Sequence, residues 1–324
     1  MINFEYTRAS SVKSATEART KHKTSQFIAG GTNLVDLMKK GVTAPERLID
    51  INALPLKEVK SDAKGVTIGA LVPNSVAAEH ELIRTKHPLL SMALNAGASA
   101  QLRNMATVGG NIMQRTRCPY FYDITMPCNK RNPNSGCGAI DGYNRMHAIF
   151  GASEQCIAVH PSDMCVALAA LNASVHISNN GKERSIAFAD FHRLPGTTPE
   201  LDNNLQAGEL ITAVHIPANH FNKAYYLKVR DRLSYAFALV SVAVALEVKN
   251  GIIQSASIAM GGVAHKPWRL YDVEKFLVRK SVTQDVFTEA AAIAMNGAKT
   301  YQHNNFKIKL GMASVVEALT KATS

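Results

Sequence analysis

The stretch from Thr107 to Gly151 most constrains what this chain can become. It holds Gly109, Gly110, Pro119, Pro127, Pro133, Gly136, Gly138 and Gly142, and neither helical nor strand periodicity survives across it. An ordered loop of about forty residues within a globular domain is improbable unless something ties it down. Three of the chain's five cysteines, Cys118, Cys128 and Cys137, lie in it, and Cys156 follows just beyond. These four are separated by 9, 8 and 18 residues. No CxxC or HxxxH pair is among them, which disfavours a zinc ribbon or finger, and the ferredoxin run CxxCxxCxxxC is absent. On spacing alone an iron–sulfur cluster, scattered free thiols, disulfides and zinc all stay open. Cys165 is separate: it falls on the apolar face of "HPSDMCVALAALNA", a helix with Ser162 as its N-cap, and reads as a buried core cysteine.

Around that loop the chain alternates strand and helix patterns. The first fifty residues read as a small α/β unit: a polar helix in "SATEARTKHK", a strand in "SQFIAGG", a helix in "TNLVDLMKKG" and a strand in "ERLIDI". "KEVKSDAKGVTIGALVPN" predicts a hairpin, and the segment from Ala77 to Asn104 is helical in pattern. "SVHISNNGKERSIAF" is a hairpin about Asn180-Gly181, and "GELITAVHIP" a further strand. A last domain opens near His220, with two long strands about Asn250-Gly251 and then three helices. Its apolar run, Ala236 to Leu246, is too short to span a bilayer, and "MINFEYTRAS" lacks the apolar core of a signal peptide.

Two glycine elements are candidates for cofactor binding. "FIAGGTNL", Phe27 to Leu34, runs strand, Gly30-Gly31, helix, and so offers backbone N–H groups at the positive end of a helix dipole to a pyrophosphate. It is neither GxGxxG nor a P-loop. "TVGGNI", Thr107 to Ile112, predicts a second run of donors, with the Thr107 and Asn111 side chains for phosphate or ribose. Nucleophilic and metallohydrolase signatures are missing: there is no G-x-S-x-G elbow and no HExxH. His160, before Pro161, reads as a helix-entry residue. Lys228, Arg230 and Arg232 alternate in "KVRDRLSYAFA", a basic strand edge or a place where a cation reaches an anionic cofactor. Lysine and arginine exceed the acids by 36 − 25 = 11, which suits an anionic partner. The basic residues are scattered and aromatics are only 6%, against a single-strand stacking platform.

Taken together, "FIAGGTNL", "ATVGGNI", "HPSDM", "GELI", "KVRDRLSYAFALVSVAVAL" and "GGVAHKPWR" resemble the FAD-binding subunit of the molybdenum hydroxylases, over essentially the whole chain. The enlarged loop, with "RTRCPYFYDITMPCNKR", is similar to that of the FAD and iron–sulfur subunit of bacterial periplasmic aldehyde oxidoreductase. It is less similar to the corresponding subunit of 4-hydroxybenzoyl-CoA reductase. The resemblance implies an α+β fold: a vanillyl-alcohol-oxidase-type FAD-binding region, as subdomains 1–55 and 56–219, and a C-terminal carbon monoxide dehydrogenase flavoprotein-like domain, 220–324, with a three-stranded sheet. It assigns FAD to Phe27, Ile28, Ala29, Gly30, Gly31, Thr32, Asn33 and Leu34, and to Thr107, Gly110, Asn111, Asp123, Ile211 and Lys228. A [4Fe–4S] cluster falls to Cys118, Cys128, Cys137 and Cys156 in loop 112–156, where it would order a segment short of apolar surface.

The implied enzyme is an oxidoreductase, with no catalytic acid, base or nucleophile on this chain. It is a heterotrimer with a large molybdopterin subunit and a small [2Fe–2S] subunit, converting aldehyde and water to carboxylic acid and delivering electrons through this chain's FAD to an external acceptor. The chain alone is not expected to oxidise aldehyde, to bind nucleic acid or to insert in a membrane. The periplasm follows by co-export with a partner bearing a twin-arginine signal, and the cytoplasm if there is no such partner. The alternatives are the same subunit of a 4-hydroxybenzoyl-CoA reductase-like enzyme and, more remotely, a basic metal-containing nucleic-acid-binding module.

Overall fold

A computed structural model describes residues 1–324 as three sheets with helices between and behind them. The first sheet is parallel, with β1 (Glu5–Arg8) and β2 (Ser25–Ile28) flanking β3 (Arg47–Asp50). The pattern of the sequence does not announce β1: all four of its residues are exposed, so no apolar alternation marks it, and pairing with β3 makes it a strand. The second sheet is antiparallel and contains β4 (Val59–Asp62), β5 (Gly65–Gly69), β6 (Ser174–Asn179), β7 (Lys182–Ala187) and β8 (Leu210–Pro217), in the order β4-β5-β8-β6-β7. The third contains β9 (Lys223–Val229), β10 (Val240–Lys249), β11 (Ile252–Gly261) and the two-residue edge β12 (Trp268–Arg269). It therefore has four strands where three were expected.

The long helical pattern before the second glycine element is four short helices: Asn74–Glu79, Glu81–Lys86, Pro88–Ala96 and Ala100–Met105. Each break has a local cause. His80 caps the second through its ring nitrogen and the Leu82 N–H, and Pro88 starts the third where no N–H is needed. The left-handed Ala98 ends it.

The helix Asp163–Ala170 holds the domains together. Every residue in it is buried, because it lies between the second sheet and the third, so it is apolar all round. Alternation along β10 explains how both faces of the third sheet are filled. Val240, Val242, Val244 and Leu246 join the core formed with helices Tyr271–Leu277, Gln284–Ala294 and Phe306–Thr323. The small Ala243 and Ala245 face the helix Asp163–Ala170 on the other side. The part of the apolar run from Val240 to Leu246 is thus strand buried on both faces, and no helix of the chain is long and apolar enough to cross a membrane.

The cysteine loop is better anchored by ordinary packing than its composition suggests. Phe121 is wholly buried against Leu37 and Cys128, while Ile149 and Phe150 join the C-terminal core. The Arg131 guanidinium ties the carbonyls of Tyr120 and Phe121 at 2.9 and 2.8 Å. The expectation that the loop lacks apolar surface is corrected by these few large side chains, which reach neighbouring domains rather than one another.

Candidate functional site

A cleft of about 1200 Å³ opens where the first sheet, the second glycine element and the start of the third sheet meet. Phe27 to Leu34 form one wall, and Thr107, Gly110, Asn111, Ile211 and Lys228 also line it. In the first glycine element the backbone N–H groups from Ala29 to Leu34 make no hydrogen bond within the chain. The reason is geometric: the chain leaves the parallel sheet at Ile28, turns through Gly31 at φ 70°, and enters a helix whose first turn has no upstream carbonyl to bond. Consecutive free donors at a helix start form a nest for anionic oxygens.

The second element behaves otherwise. Val108 N–H donates to the Val72 carbonyl at 2.9 Å, Gly109 to Ala70 at 2.8 Å, Gly110 to the Thr107 hydroxyl at 3.2 Å and Asn111 to the Thr107 carbonyl at 2.7 Å. The expected second run of donors is therefore already spent, two N–H groups on docking the one-turn helix Val108–Ile112 against the segment just after β5 and two on its own N-cap, Thr107. What this element gives the cleft is side chains and a close fit. Asn111 Oδ1 accepts from Gln114 at 2.8 Å and from Ser162, leaving its amide N–H groups unbonded. A Cβ on Gly30 would lie 1.8 Å from the Met105 carbonyl oxygen, so the two glycine elements touch backbone to backbone.

Lys228 lines the cleft but is not a free cation. Its ammonium donates to Asp163 Oδ2 at 2.8 Å and to the Ala96 carbonyl at 3.0 Å, both side chains being almost wholly buried. The Tyr226 hydroxyl donates to the other Asp163 oxygen at 2.8 Å, and burial beside that carboxylate raises the phenol well above its usual range. Further positive charge comes from arginines that the sequence motifs did not single out, each with a partner inside the chain: Arg103 donates to the Gly97 carbonyl at 2.7 Å, Arg115 pairs with Asp202 and Arg117 bonds the Tyr122 hydroxyl. Arg117 and Arg103 line the cleft with Arg115, and the Arg117 guanidinium lies 5.4 Å over the Phe237 ring. Only the overall basic surplus hinted at them.

Asp123 is outside the cleft. It is exposed, and its carboxylate accepts from Thr125 N–H at 3.0 Å and Thr125 Oγ1 at 2.7 Å, closing a surface turn within the enlarged loop. Its assignment to FAD therefore rests on the resemblance alone, since Asp123 is not among the residues that line the cleft.

Cys118, Cys128, Cys137 and Cys156 border one small pocket together with Thr116, Phe121 and Lys130. None forms a disulfide. The Ala158 N–H donates to the Cys156 sulfur at 3.5 Å. Burial pushes the Cys118 thiol up to about 12 and that of Cys156 to about 11, so a metal entering here would displace protons. His147 Nε2 stands 3.1 Å from the Cys118 sulfur. Four thiols gathered at one pocket fit a metal–thiolate group.

Cys165 lies in the core as expected, with donor atoms of His160 and His192 within 4.8 Å of it. His160 Nδ1 accepts from Ser162 N–H at 3.4 Å, which places the ring proton on Nε2 and leaves no lone pair there for a metal. His160 is a helix-entry residue.

Comparison with known families identifies the kind of chain that carries this cleft. Residues 2–219 match the FAD binding domain in molybdopterin dehydrogenase, and residues 224–320 match the CO dehydrogenase flavoprotein C-terminal domain. The chain is an FAD-binding medium subunit of the molybdenum hydroxylase family. Among its relatives, the aldehyde oxidoreductase FAD-binding subunit PaoB of Escherichia coli (strain K12) is 47% identical over 326 residues, 99% of each chain. The glyceraldehyde dehydrogenase medium chain of Sulfolobus acidocaldarius is 31% identical over 89% of this chain and 86% of that one. A carbon monoxide dehydrogenase structure from Hydrogenophaga pseudoflava superposes with a TM-score of 0.78, covering 100% of this chain and 99% of that one. At 22% identity it speaks to the fold alone. The matched FAD binding domain spans most of the residues that line the cleft, and the free N–H groups from Ala29 to Leu34 are of the kind that suits a pyrophosphate.

Proposed function

We propose that this chain is the FAD- and [4Fe–4S]-containing electron-transfer subunit of a heterotrimeric, molybdenum-dependent aldehyde oxidoreductase. A large molybdopterin subunit would convert aldehyde and water to carboxylic acid, and a small [2Fe–2S] subunit would pass the electrons to this chain and so to an external acceptor. Likeness to PaoB over both full chains supports the substrate class. The observation that carries the cluster is that four cysteines from three separate turns of the enlarged loop converge on one pocket, each without a disulfide partner. That pocket adjoins the cleft: Pro119 lines the cleft, and Cys118, the residue before it, lines the pocket.

Bound FAD would supply the exchange between electron pairs and single electrons, and a cluster would supply single-electron transfer. The chain's own residues bind and orient. The turn from Ala29 to Leu34 would hold the pyrophosphate, and Arg117 and Arg103 would add positive potential at the cleft. The Asp163–Lys228 pair fixes the wall at the start of helix Asp163–Ala170. Co-export to the periplasm with a twin-arginine partner completes the reading, and cell fractionation of the native complex tests it.

Anaerobic purification followed by cofactor analysis is the main test. About one FAD, four iron and four sulfide per chain are expected. Serine at any one of the four loop cysteines should remove the iron, while Cys165→Ser should retain it. Flavin without iron would sink the cluster and leave the FAD subunit standing.

A further inference from the structure

The cysteine pocket and the cleft are joined by a short chain of charges, buried at Lys130 and half-buried at Asp202 and Arg115. Lys130 lies between Cys128 and Cys137, lines the cysteine pocket, and has a side chain only 1% exposed. Its ammonium donates to Asp202 Oδ1 at 2.5 Å and to the Pro199 carbonyl at 2.6 Å. The other Asp202 oxygen accepts from Arg115 Nε at 2.6 Å. Arg115 in turn reaches the first glycine element, because its backbone N–H donates to Asn33 Oδ1 at 2.9 Å. Its guanidinium stacks 4.7 Å over Phe121, the side chain buried between Cys128 and Leu37.

Every link in this path is short, and each has one main partner on either side. The Lys130 ammonium sits next to Cys156, whose thiolate it favours. Asp202, held between two cations, stays ionised far below the usual carboxylate range. Asn33 belongs to the row of free N–H groups that faces the cleft.

We propose that Asp202 is a positioning residue for both cofactor sites, so that an anionic metal–sulfur group on the four cysteines and FAD in the cleft each strengthen the other's binding. The inference rests on the cluster reading above. A group with net negative charge in the pocket fixes Lys130 and the Cys128–Lys130 turn. That holds Asp202, Asp202 holds Arg115, and Arg115 holds Asn33 in the pyrophosphate nest. Because linkage is reciprocal, FAD in the cleft raises the pocket's equilibrium affinity for the metal–sulfur group by the same factor that the group raises the affinity for FAD.

The test is a double-mutant cycle on the full-length chain, with FAD affinity read by flavin fluorescence and iron loss read by a chelator under anaerobic conditions. Cys137→Ser, which is iron-free, and Asp202→Asn are each expected to raise the FAD Kd by about tenfold. The double variant should bind no more weakly than the weaker single, within about twofold, because both act through one path. Asp202→Asn should also release iron faster, and FAD should slow that release in the wild type but not in this variant. Lys130→Met, which keeps the aliphatic stem, is expected to reproduce these effects and stands in where Asp202→Asn fails to fold. An FAD Kd indifferent to Cys137→Ser in a chain that otherwise carries iron overturns the linkage alone. Multiplying effects in the double variant overturn it too. A wild-type chain without iron overturns the cluster reading and the linkage together.

Discussion

Gly30→Ala tests whether the two glycine elements must touch for FAD to bind. The new Cβ would stand 1.8 Å from the Met105 carbonyl oxygen, 2.6 Å from its carbon and 3.3 Å from Ala106 Cα. All three are backbone atoms, so no side-chain rotation relieves the contact. A carbon–oxygen contact needs about 3.3 Å, so the elements must part by about 1.5 Å. Overpacking of this kind costs roughly 1–3 kcal/mol. Parting the elements also spreads the walls that clasp the cofactor, so the loss should appear in the FAD Kd as about a five- to hundredfold rise. Gly110→Ala is the control, since its Cβ would meet only the Thr107 hydroxyl, at 3.0 Å, and that side chain can rotate. Titration of FAD-free protein by flavin fluorescence reads both, with thermal unfolding of the same samples to show that each variant folds. A Gly30→Ala chain that binds FAD as tightly as wild type, or a Gly110→Ala chain that binds it worse than Gly30→Ala, would refute the reasoning.

The remaining predictions concern single side chains. Lys228→Met leaves Asp163 charged, buried and served only by Tyr226, and should lower stability by about 3 kcal/mol, with Lys228→Met/Asp163→Asn recovering part of it. A loss below about 1 kcal/mol by denaturant titration would show that solvent compensates the pair. Lys307 is wholly buried with only the His147 and Gly262 carbonyls as partners, at 2.9 and 2.7 Å, and burial lowers it to about 7. An unfolded lysine titrates near ~10.4, so between those values the unfolded chain binds more protons and stability should climb with pH. The wild type minus Lys307→Met difference in Tm isolates that climb from the buried cysteines, whose raised values work the other way. A flat difference counts against it. Asp123→Asn should leave FAD affinity within about twofold, because the carboxylate closes a surface turn with Thr125. A large loss would place Asp123 back at the cofactor.

Much of the architecture is legible in the chain because it is written in short-range periodicity. The hairpin about Asn180-Gly181, the two long strands about Asn250-Gly251 and the Ser162-capped helix are each local events, with turn chemistry or capping in sequence contact. The strand-glycine-helix turn from Phe27 to Leu34 belongs with them, since free N–H groups at a helix start follow from backbone geometry alone. So does the concentration of cysteines in one aperiodic loop.

What only the tertiary structure decides is which local features meet and which are already spent. "TVGGNI" looks as open as "FIAGGTNL", yet the segment just after β5 takes the N–H groups of Val108 and Gly109, and Thr107 takes those of Gly110 and Asn111. Lys228 looks like a free cation until Asp163, 65 residues away, folds onto it. Asp123 looks like a cofactor ligand until the loop carries it to the surface. Four cysteines spread over 39 residues share a pocket because Phe121 and Arg131 fold the loop back on itself. For Lys228, and for the Val108 and Gly109 N–H groups, a partner distant in sequence decides availability, because hydrogen-bonding capacity is finite and a donor committed inside the fold is lost to a ligand.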